Sequence, residues 1–170
     1  VMRLTRIADL TGRIGSITDE LRAFARKTAS TPSLVDPEAA IDGALILLSG
    51  RLRESRITLD RTTTTAPCFA LAERVRLEQV IVNLVQNAIE ALEEARPAAP
   101  RLSIDVRSGR DHVEIVIADN GPGLDPAVAQ ALFTPFVTTK PNGLGLGLVI
   151  CRDIVAGFGG ELVLSPSGSG

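Results

Sequence analysis

The sequence predicts an α+β two-layer sandwich preceded by a separate N-terminal helix. Amphipathic helical segments are interspersed with short alternating strands, and those strands are mostly linked as hairpins, without regular βαβ alternation. The 170 residues suit one domain with an appendage, and 45% hydrophobic residues are enough for a substantial core. The 18 basic and 20 acidic residues nearly cancel, so composition predicts neither nucleic-acid binding nor attraction to acidic membranes. Cys68 and Cys151 lack metal-binding spacing and are predicted to be small buried hydrophobes.

The N-terminal segment carries a narrow apolar seam with steps of three and four residues, which is typical of a coiled coil. The seam residues are Ile7, Leu10, Ile14, Ile17, Leu21 and Phe24. So narrow a seam needs partner helices, and we predict that residues 1–29 supply one helix of a dimerisation bundle. The alternative is an ordinary helix that folds back on the rest of the chain. The stretch "KTASTPSLVDP" marks a boundary, and the main domain is predicted over residues 30–170.

Two helices of the main domain are predicted from their boundary and spacing signals. Asp36-Pro37-Glu38 combines a capping carboxylate, a proline in the first turn and a further acid, and helical apolar spacing continues from there to Leu52. A longer amphipathic helix is predicted from about Arg74 to Ala95. Between the two helices, "RITLDR" and "CFALA" are short strand-like runs.

The second half of the domain continues with strands and one more helix. The stretch "RLSIDVRSGRDHVEIVIADN" alternates as two strands joined by a glycine-containing turn, the second of them a buried strand that ends at Asp119. A loop-rich stretch follows, then an amphipathic helix from Gly147 to Phe158, and then "GELVLS" as a last strand.

The long helix carries a narrow polar stripe opposite its broad apolar face. At about 100° per residue, the stripe covers roughly one third of the circumference. Its members are Gln79, Asn83, Gln86, Asn87, Glu90 and Glu94. A stripe that simply faces water is usually rich in Lys and Arg, whereas none occurs between Arg76 and Arg96. Amide and carboxylate oxygens are ligands that Mg²⁺ accepts, so a metal site is the alternative to simple exposure.

Two glycine-containing motifs follow the predicted hairpin. In "DNGPGL", Asp119 precedes Gly121 and Gly123, which indicates a tight turn. The same carboxylate could also accept a hydrogen bond from the amino group of a flat heterocycle. In "NGLGLGLVICRDIV", glycines alternate directly before a helix, where small residues let backbone amides approach a phosphate. These glycines are Gly143, Gly145 and Gly147, and Lys140 lies just upstream as a positive side chain.

The order of these motifs resembles the four boxes of the histidine-kinase ATP-binding domain. "NLVQNAIEAL", "DNGPGL", "LFTPFVTTK" and "GLGLGL" correspond to its N, G1, F and G2 boxes between Arg74 and about Phe158. This is the Bergerat-fold superfamily, shared with gyrase, Hsp90-type proteins and mismatch-repair ATPases. The stretch "RIGSITDELRAFARK" is similar to the second helix of the dimerisation and phosphotransfer domain of such kinases. It looks most like that of sensors for C4-dicarboxylates and related nitrogen-type kinases.

The resemblance implies a binding role for individual residues. Asn87 would coordinate Mg²⁺ bridging the phosphates of ATP, and Asn83 and Glu90 would support the polar face. Asp119 would bind the adenine amino group, and Gly121 and Gly123 would let the base and ribose approach. The implied phosphate-holding residues are Lys140, Gly143, Gly145 and Gly147. Phe133 and Phe136 would anchor a lid, with core packing as the alternative.

The residue at position 83 favours a kinase over a hydrolase. In hydrolytic members of the superfamily a glutamate one turn before the metal-binding Asn activates water, and Asn83 cannot act as a general base. The alternatives are a hydrolytic ATPase of the same superfamily and a degenerate domain that binds partners without catalysis.

The resemblance also implies what surrounds this segment in a complete kinase. The one histidine, His112, is predicted to lie in a surface turn, so the phosphoacceptor histidine is expected on a preceding helix. The family's further β-strand after "GELVLSPSGSG" is likewise not found in the chain. A homodimer through the bundle helix and a response-regulator receiver domain are the implied partners. We expect a cytoplasmic segment without membrane contact, in a sensor anchored to the membrane upstream.

Overall fold

The computed structural model describes residues 31–64, 67–124, 126–138 and 143–165. The helices are α1 (Pro37–Glu54), α2 (Arg74–Ala95), α3 (Pro126–Ala131) and α4 (Gly147–Gly157). The strands are β1 (Ser33–Val35), β2 (Thr58–Thr62), β3 (Ala70–Ala72), β4 (Arg101–Ser108) and β5 (Val113–Asp119). The predicted bundle helix and Lys140 lie outside the described residues.

The predicted helix boundaries are confirmed at both ends of α2 and at the start of α1. Asp36 caps α1, because its Oδ1 accepts a hydrogen bond from the Glu38 backbone N at 2.9 Å. Helix α2 spans Arg74–Ala95 and ends at Arg96, whose φ of 49° places it in the left-handed conformation of a helix C-cap.

The main sheet has three described strands in the order β2-β4-β5. Strands β4 and β5 form the predicted antiparallel hairpin, with Leu102 opposite Asp119. Strand β2 instead pairs with β4 in parallel, with Thr58 opposite Arg101, because the chain crosses over through α2 before it re-enters the sheet.

A second, two-stranded sheet joins β1 to β3, with Leu34 opposite Leu71. Strand β1 falls in the stretch predicted only as a boundary, and three residues of "SLV" carry too little alternation to predict a strand. Val35 and Ala72 on the inner face are buried, whereas Leu34 and Leu71 on the outer face are exposed.

The described residues contain two hydrophobic clusters. The larger one packs α1 and α2 against the inner residues of β4, which are Leu102, Ile104 and Val106. The smaller one joins α2 to α4 through Val80, Leu146, Ile150, Cys151 and Ile154. Cys68 and Cys151 are both buried and free, which confirms the prediction made for them. Helix α4 is therefore attached to the layer of helices through α2.

Three sequence predictions are corrected by the structure. The "GELVLS" stretch forms no strand in the described residues, and Val163 is 67% exposed, because a strand needs a partner and none is paired with it here. Strand β5 is half-buried to exposed rather than buried, since it lies at the edge of the described sheet. The loop-rich stretch after Asp119 contains the short helix α3.

Two features are absent from the described residues. No helix there is both long enough and apolar enough to cross a membrane. No group of three or more His, Cys, Asp and Glu side chains in those residues lies close enough to hold a metal ion.

Candidate functional site

Helix α2 brings the predicted polar residues to one surface, where Asn83, Asn87 and Glu90 are all partly buried. Most apolar residues of the helix occupy the main core, and Val80 and Leu84 pack in the smaller cluster, so the stripe is left on the remaining side of the helix. Position along the helix then decides what each stripe residue can contact.

At its N-terminal end, the stripe meets the start of α4. Asn83 Nδ2 donates a hydrogen bond to the Gly147 carbonyl oxygen at 3.3 Å. A β-carbon added to Gly147 would lie 3.4 Å from Asn83 Oδ1, so the two residues are in direct contact. The last glycine of the predicted phosphate loop is thereby placed against α2.

At its C-terminal end, the stripe meets the turn that follows β5. Asp119 is exposed at the end of that strand, and its Oδ1 accepts a hydrogen bond from the Gly121 backbone N at 2.8 Å. A β-carbon added to Gly121 would lie 2.6 Å from Asp119 Oδ1 and 3.7 Å from Ala91 Cβ. Glycine at position 121 therefore lets the turn close on the Asp119 carboxylate, whereas the approach to Ala91 is an ordinary contact.

Asn87 lies midway between these two contacts. It is one helical turn after Asn83 and one turn before Ala91, so the two contacts are about 12 Å apart along the helix. The Asp119 turn and the glycine loop thus border a single stretch of α2 that carries Asn87. One residue from each of the two glycine motifs, Gly121 and Gly147, therefore lies beside α2.

The glycine loop requires glycine most strictly at position 145. Gly145 has a φ of +67°, and an added β-carbon would lie 2.6 Å from the Val137 carbonyl oxygen. The loop therefore packs against the backbone of Val137, which directly follows the stretch containing Phe133 and Phe136. Gly123, in the turn after Asp119, also has a positive φ of 70°. Gly143 is partly buried at the start of the loop.

The first turn of α4 has no side-chain cap. Leu146 is the N-cap residue and makes no capping hydrogen bond. The first backbone N–H groups of a helix have no partners within the helix, and they favour an anion. The glycines before Leu146 have no side chains that could block the approach to these N–H groups.

The two phenylalanines occupy different environments. The Phe133 ring is partly buried and lies under the Arg152 guanidinium of α4, with 5.4 Å from Cζ to the ring centroid. Phe136 is 73% exposed and has a φ of 65°, which is unusual for a side chain of its size. Core packing is therefore wrong as an account of Phe136, and the lid role of both residues stays a prediction.

Glu90 is joined to helix α1 by an ion pair. Its Oε1 lies 3.3 Å from Arg51 Nη1, while Arg51 Nη2 lies 2.9 Å from Glu93 Oε2. The hydrogen bond from Arg51 lowers the pKa of Glu93, although partial burial acts in the opposite direction. Glu90 thus ties the stripe to α1, and its predicted part in nucleotide binding is untested.

Sequence analysis missed Asn120 as a positioning residue. Its Oδ1 accepts a hydrogen bond from the Arg101 backbone N at 2.7 Å, and its Nδ2 donates to the Ala99 carbonyl oxygen at 2.8 Å. These bonds fasten the turn after β5 to the start of β4 and so fix the backbone beside Asp119. Its place in a turn motif was visible in the sequence, but the partner strand was not.

The donor set around Asn87 fits a magnesium ion that is shared with a nucleotide. Mg²⁺ commonly takes one or two protein oxygens and completes its shell with phosphates and water. One amide oxygen at Asn87, without a cluster of acidic or histidine ligands among the described residues, matches that arrangement better than an all-protein cage.

Comparison with known families and proteins agrees with this geometry. Residues 72–170 match the family described as "Histidine kinase-, DNA gyrase B-, and HSP90-like ATPase". The chain is 43% identical over 167 residues to the C4-dicarboxylate transport sensor protein DctB of Rhizobium meliloti (strain 1021), covering 96% of this chain and 26% of that protein. It therefore spans about a quarter of the length of that relative.

Solved structures of histidine kinases have the same fold. The nucleotide-free catalytic domain of histidine kinase ThkA is 30% identical, with a TM-score of 0.66 over 75% of this chain and 82% of that one. ThkA in complex with response regulator protein TrrA gives a TM-score of 0.74 at 26% identity, over 93% of this chain and 44% of that one. These matches confirm the predicted fold class and the resemblance to sensor histidine kinases.

Proposed function

Because this chain belongs to the histidine kinase-, DNA gyrase B- and HSP90-like ATPase family, and its relatives are sensor histidine kinases, we propose a specific reaction for it. In this proposal the chain binds Mg-ATP and transfers the γ-phosphoryl group to a histidine on a separate phosphotransfer helix. The phosphoryl group then passes to an aspartate of a response-regulator receiver domain. The whole protein acts as a homodimer through its bundle helix, in the cytoplasmic part of a membrane-anchored sensor.

The observation that carries the proposal is the convergence of two loops on α2. Gly147 contacts Asn83, and Gly121 lies against Ala91, so Asn87 stands between the phosphate-type loop and the Asp119 turn. A nucleotide has a flat base at one end and a charged phosphate chain at the other. The surface offers an exposed carboxylate at one end and uncapped helix amides at the other.

Each end of this surface has its own task in the proposal. The Asp119 carboxylate accepts a hydrogen bond from the adenine amino group, while Gly123 keeps side chains away from the base and ribose. At the other end, the first amides of α4 and the backbone of Gly143 and Gly145 donate to phosphate oxygens. Lys140 supplies a positive charge beside them, as the sequence predicts.

Asn87 is the residue that would hold Mg²⁺ through its amide oxygen. When bound, the ion neutralises charge on the phosphates. The chain's own residues orient the phosphate chain, because Asn87 is fixed on a packed helix and the glycine loop is fixed against Val137. The γ-phosphate is held in a defined orientation, but Asn83 cannot act as a general base to activate water. Transfer to a protein side chain is therefore favoured over hydrolysis.

Magnesium-dependent ATP binding is tested with one variant at Asn87. Asn87→Ala removes the magnesium ligand from a partly buried surface position, so the fold should persist while magnesium-dependent ATP affinity is lost. Calorimetry with ATP, with and without Mg²⁺, measures this, and Gln79→Ala on the same stripe is the matched control. If Asn87→Ala binds Mg-ATP as tightly as the parent, the assignment of Asn87 is wrong.

Transfer is tested by adding a protein that carries the histidine-bearing helix. The parent should label that helix from γ-labelled ATP and leave its own exposed His112 unlabelled. The product should be labile in acid and stable in alkali, as a phosphohistidine is. Steady ATP turnover without an acceptor would contradict the kinase proposal and favour a hydrolase.

A further inference from the structure

Asn83 on α2 contacts the start of helix α4. Its Nδ2 donates a hydrogen bond to the Gly147 carbonyl oxygen at 3.3 Å. A β-carbon added to Gly147 would lie 3.4 Å from Asn83 Oδ1 and 3.5 Å from Asn83 Nδ2, so the amide faces this residue. Gly147 is the first residue of α4, so the contact lies where the helix begins.

The surroundings of this amide are apolar. Val80, Leu146, Ile150, Cys151 and Ile154 form the cluster that packs α2 on α4. The Cys151 Sγ also lies 3.9 Å from the Val80 carbonyl oxygen, which brings the two helix backbones close together here. Hydrophobic contacts have no preferred direction, so the cluster alone permits α4 to slide or rotate slightly on α2. The part-buried hydrogen bond beside the cluster is directional, and breaking it leaves polar groups without partners.

We infer that Asn83 is a positioning residue, which fixes the first turn of α4 on α2 and so sets the amides of that turn relative to Asn87. This is more specific than support of the polar face, the role that the resemblance implies for Asn83. The inference concerns the nucleotide-free protein, and only its consequence for phosphate binding rests on the proposed function. The positioning follows from the contacts, because Asn83 and Asn87 share helix α2 and Asn83 holds the start of helix α4.

Asn83→Asp isolates the donor, because the side chain keeps its shape but loses the N–H groups. A carboxylate oxygen would then face the Gly147 carbonyl oxygen, and two acceptors repel each other. We expect the backbone amides of Ile150 and Cys151, the first in α4 to be hydrogen-bonded within the helix, to exchange hydrogen on the order of tenfold faster in the absence of nucleotide. Asn83→Ala should give the same direction of change, and Gln86→Ala, another amide on the stripe, should leave the exchange unchanged.

Nucleotide affinity supplies the second readout. Asn83→Asp should weaken ATP on the order of tenfold and leave adenosine unchanged, since adenosine has no phosphate to meet the displaced amides. Thermal unfolding of each variant is measured first, and whichever of Asn83→Asp and Asn83→Ala retains the parental transition is used. A loss of ATP affinity with unchanged exchange in the nucleotide-free protein would overturn the inference, because Asn83 would then act on the nucleotide directly.

The two proposals fail in different ways. If the parent does not bind ATP but Asn83→Asp still speeds exchange at Ile150 and Cys151, the proposed function is wrong and the positioning role stands. If the parent binds ATP and neither exchange nor affinity changes in the variants, the positioning role is wrong and the proposed function stands.

Discussion

The two ends of the polar stripe on α2 meet the rest of the protein in different ways. At the Asn83 end, a directional hydrogen bond to Gly147 lies beside a buried apolar cluster that packs α4 on α2. At the Ala91 end, Gly121 makes only a van der Waals approach, and the exposed Asp119 holds its own turn. The first end is fixed by packing between helices, whereas the second is fixed within a short surface loop.

This difference matches the needs of a nucleotide site. Backbone amides donate well to phosphates only when the turn that presents them is held rigidly, since they cannot adjust as side chains do. The adenine base of a nucleotide enters from solvent, so it needs an open edge of the site with one well-placed hydrogen-bond acceptor. Substitutions at the helix junction should therefore disturb structure as well as binding, and substitutions at Asp119 should disturb binding alone.

The largest effect is expected for Gly145→Ala at the tight end. Alanine at a φ of +67° is strained, and its β-carbon would lie 2.6 Å from the Val137 carbonyl oxygen, so the loop must move. We expect a penalty of about 2–4 kcal/mol, measured as weakened ATP binding by calorimetry. Gly147→Ala is the matched control, since its β-carbon would make an ordinary contact of 3.4 Å with Asn83. Equal losses in both variants would contradict the steric explanation.

A smaller effect is expected from the pH dependence of Cys151, also at the tight end. Burial raises the pKa of its thiol from 9.0 to about 11, although the hydrogen bond from Asn83 acts in the opposite direction. Because the folded pKa is higher, this contribution to stability is complete below pH 9.0 and is lost as the pH rises to about 11. The loss should approach roughly 2–3 kcal/mol.

Urea unfolding between pH 7 and pH 11 measures the Cys151 contribution. The free energy of unfolding of the parent should fall more steeply above pH 9.0 than that of Cys151→Ala, which lacks the thiol. Parallel curves for the two proteins would show that the thiol is not held protonated by the helix junction. Cys68→Ala serves as a control for the second buried cysteine.

The smallest effect on structure is expected for Asp119→Asn at the open end. The amide oxygen can still accept from the Gly121 N–H, so the turn should persist. Its N–H₂ group can face the adenine amino group as a second donor, and ATP affinity should fall by about 1–3 kcal/mol. Titrations with ATP and GTP, together with thermal unfolding, test this. A lowered unfolding temperature with unchanged ATP affinity would assign Asp119 a structural role instead.

The sequence predicted most reliably where the signal is local. Asp36 and Pro37 marked the start of α1, and the hairpin of β4 and β5 followed from alternation around a glycine-containing turn. The short strand β1 was missed, and "GELVLS" was wrongly predicted as a strand. Whether a short apolar run becomes a strand depends on a partner elsewhere in the chain, which local alternation does not specify.

For the candidate site, the sequence supplied the residues, and their spacing on α2 supplied a shared face. Asn87, Asp119 and Gly145 were predicted as candidate site residues from the sequence, because the motifs that contain them occur in a characteristic order along the chain. Arg51 and Asn120 were missed because their partners lie on other elements. An ordinary Arg on a helix or an Asn in a turn carries no local mark of such a contact.

By itself, the sequence determined the bounds of α2, the pairing of β4 with β5 and the polar stripe, because each follows from the periodicity of neighbouring residues. Only the tertiary structure decided that Asn83 meets Gly147, 64 residues further along the chain, and that Gly121 closes on Ala91. Those contacts depend on how α4 and the turn after β5 pack on α2. Packing is set by the shapes of whole buried surfaces, and no local pattern of residues encodes it.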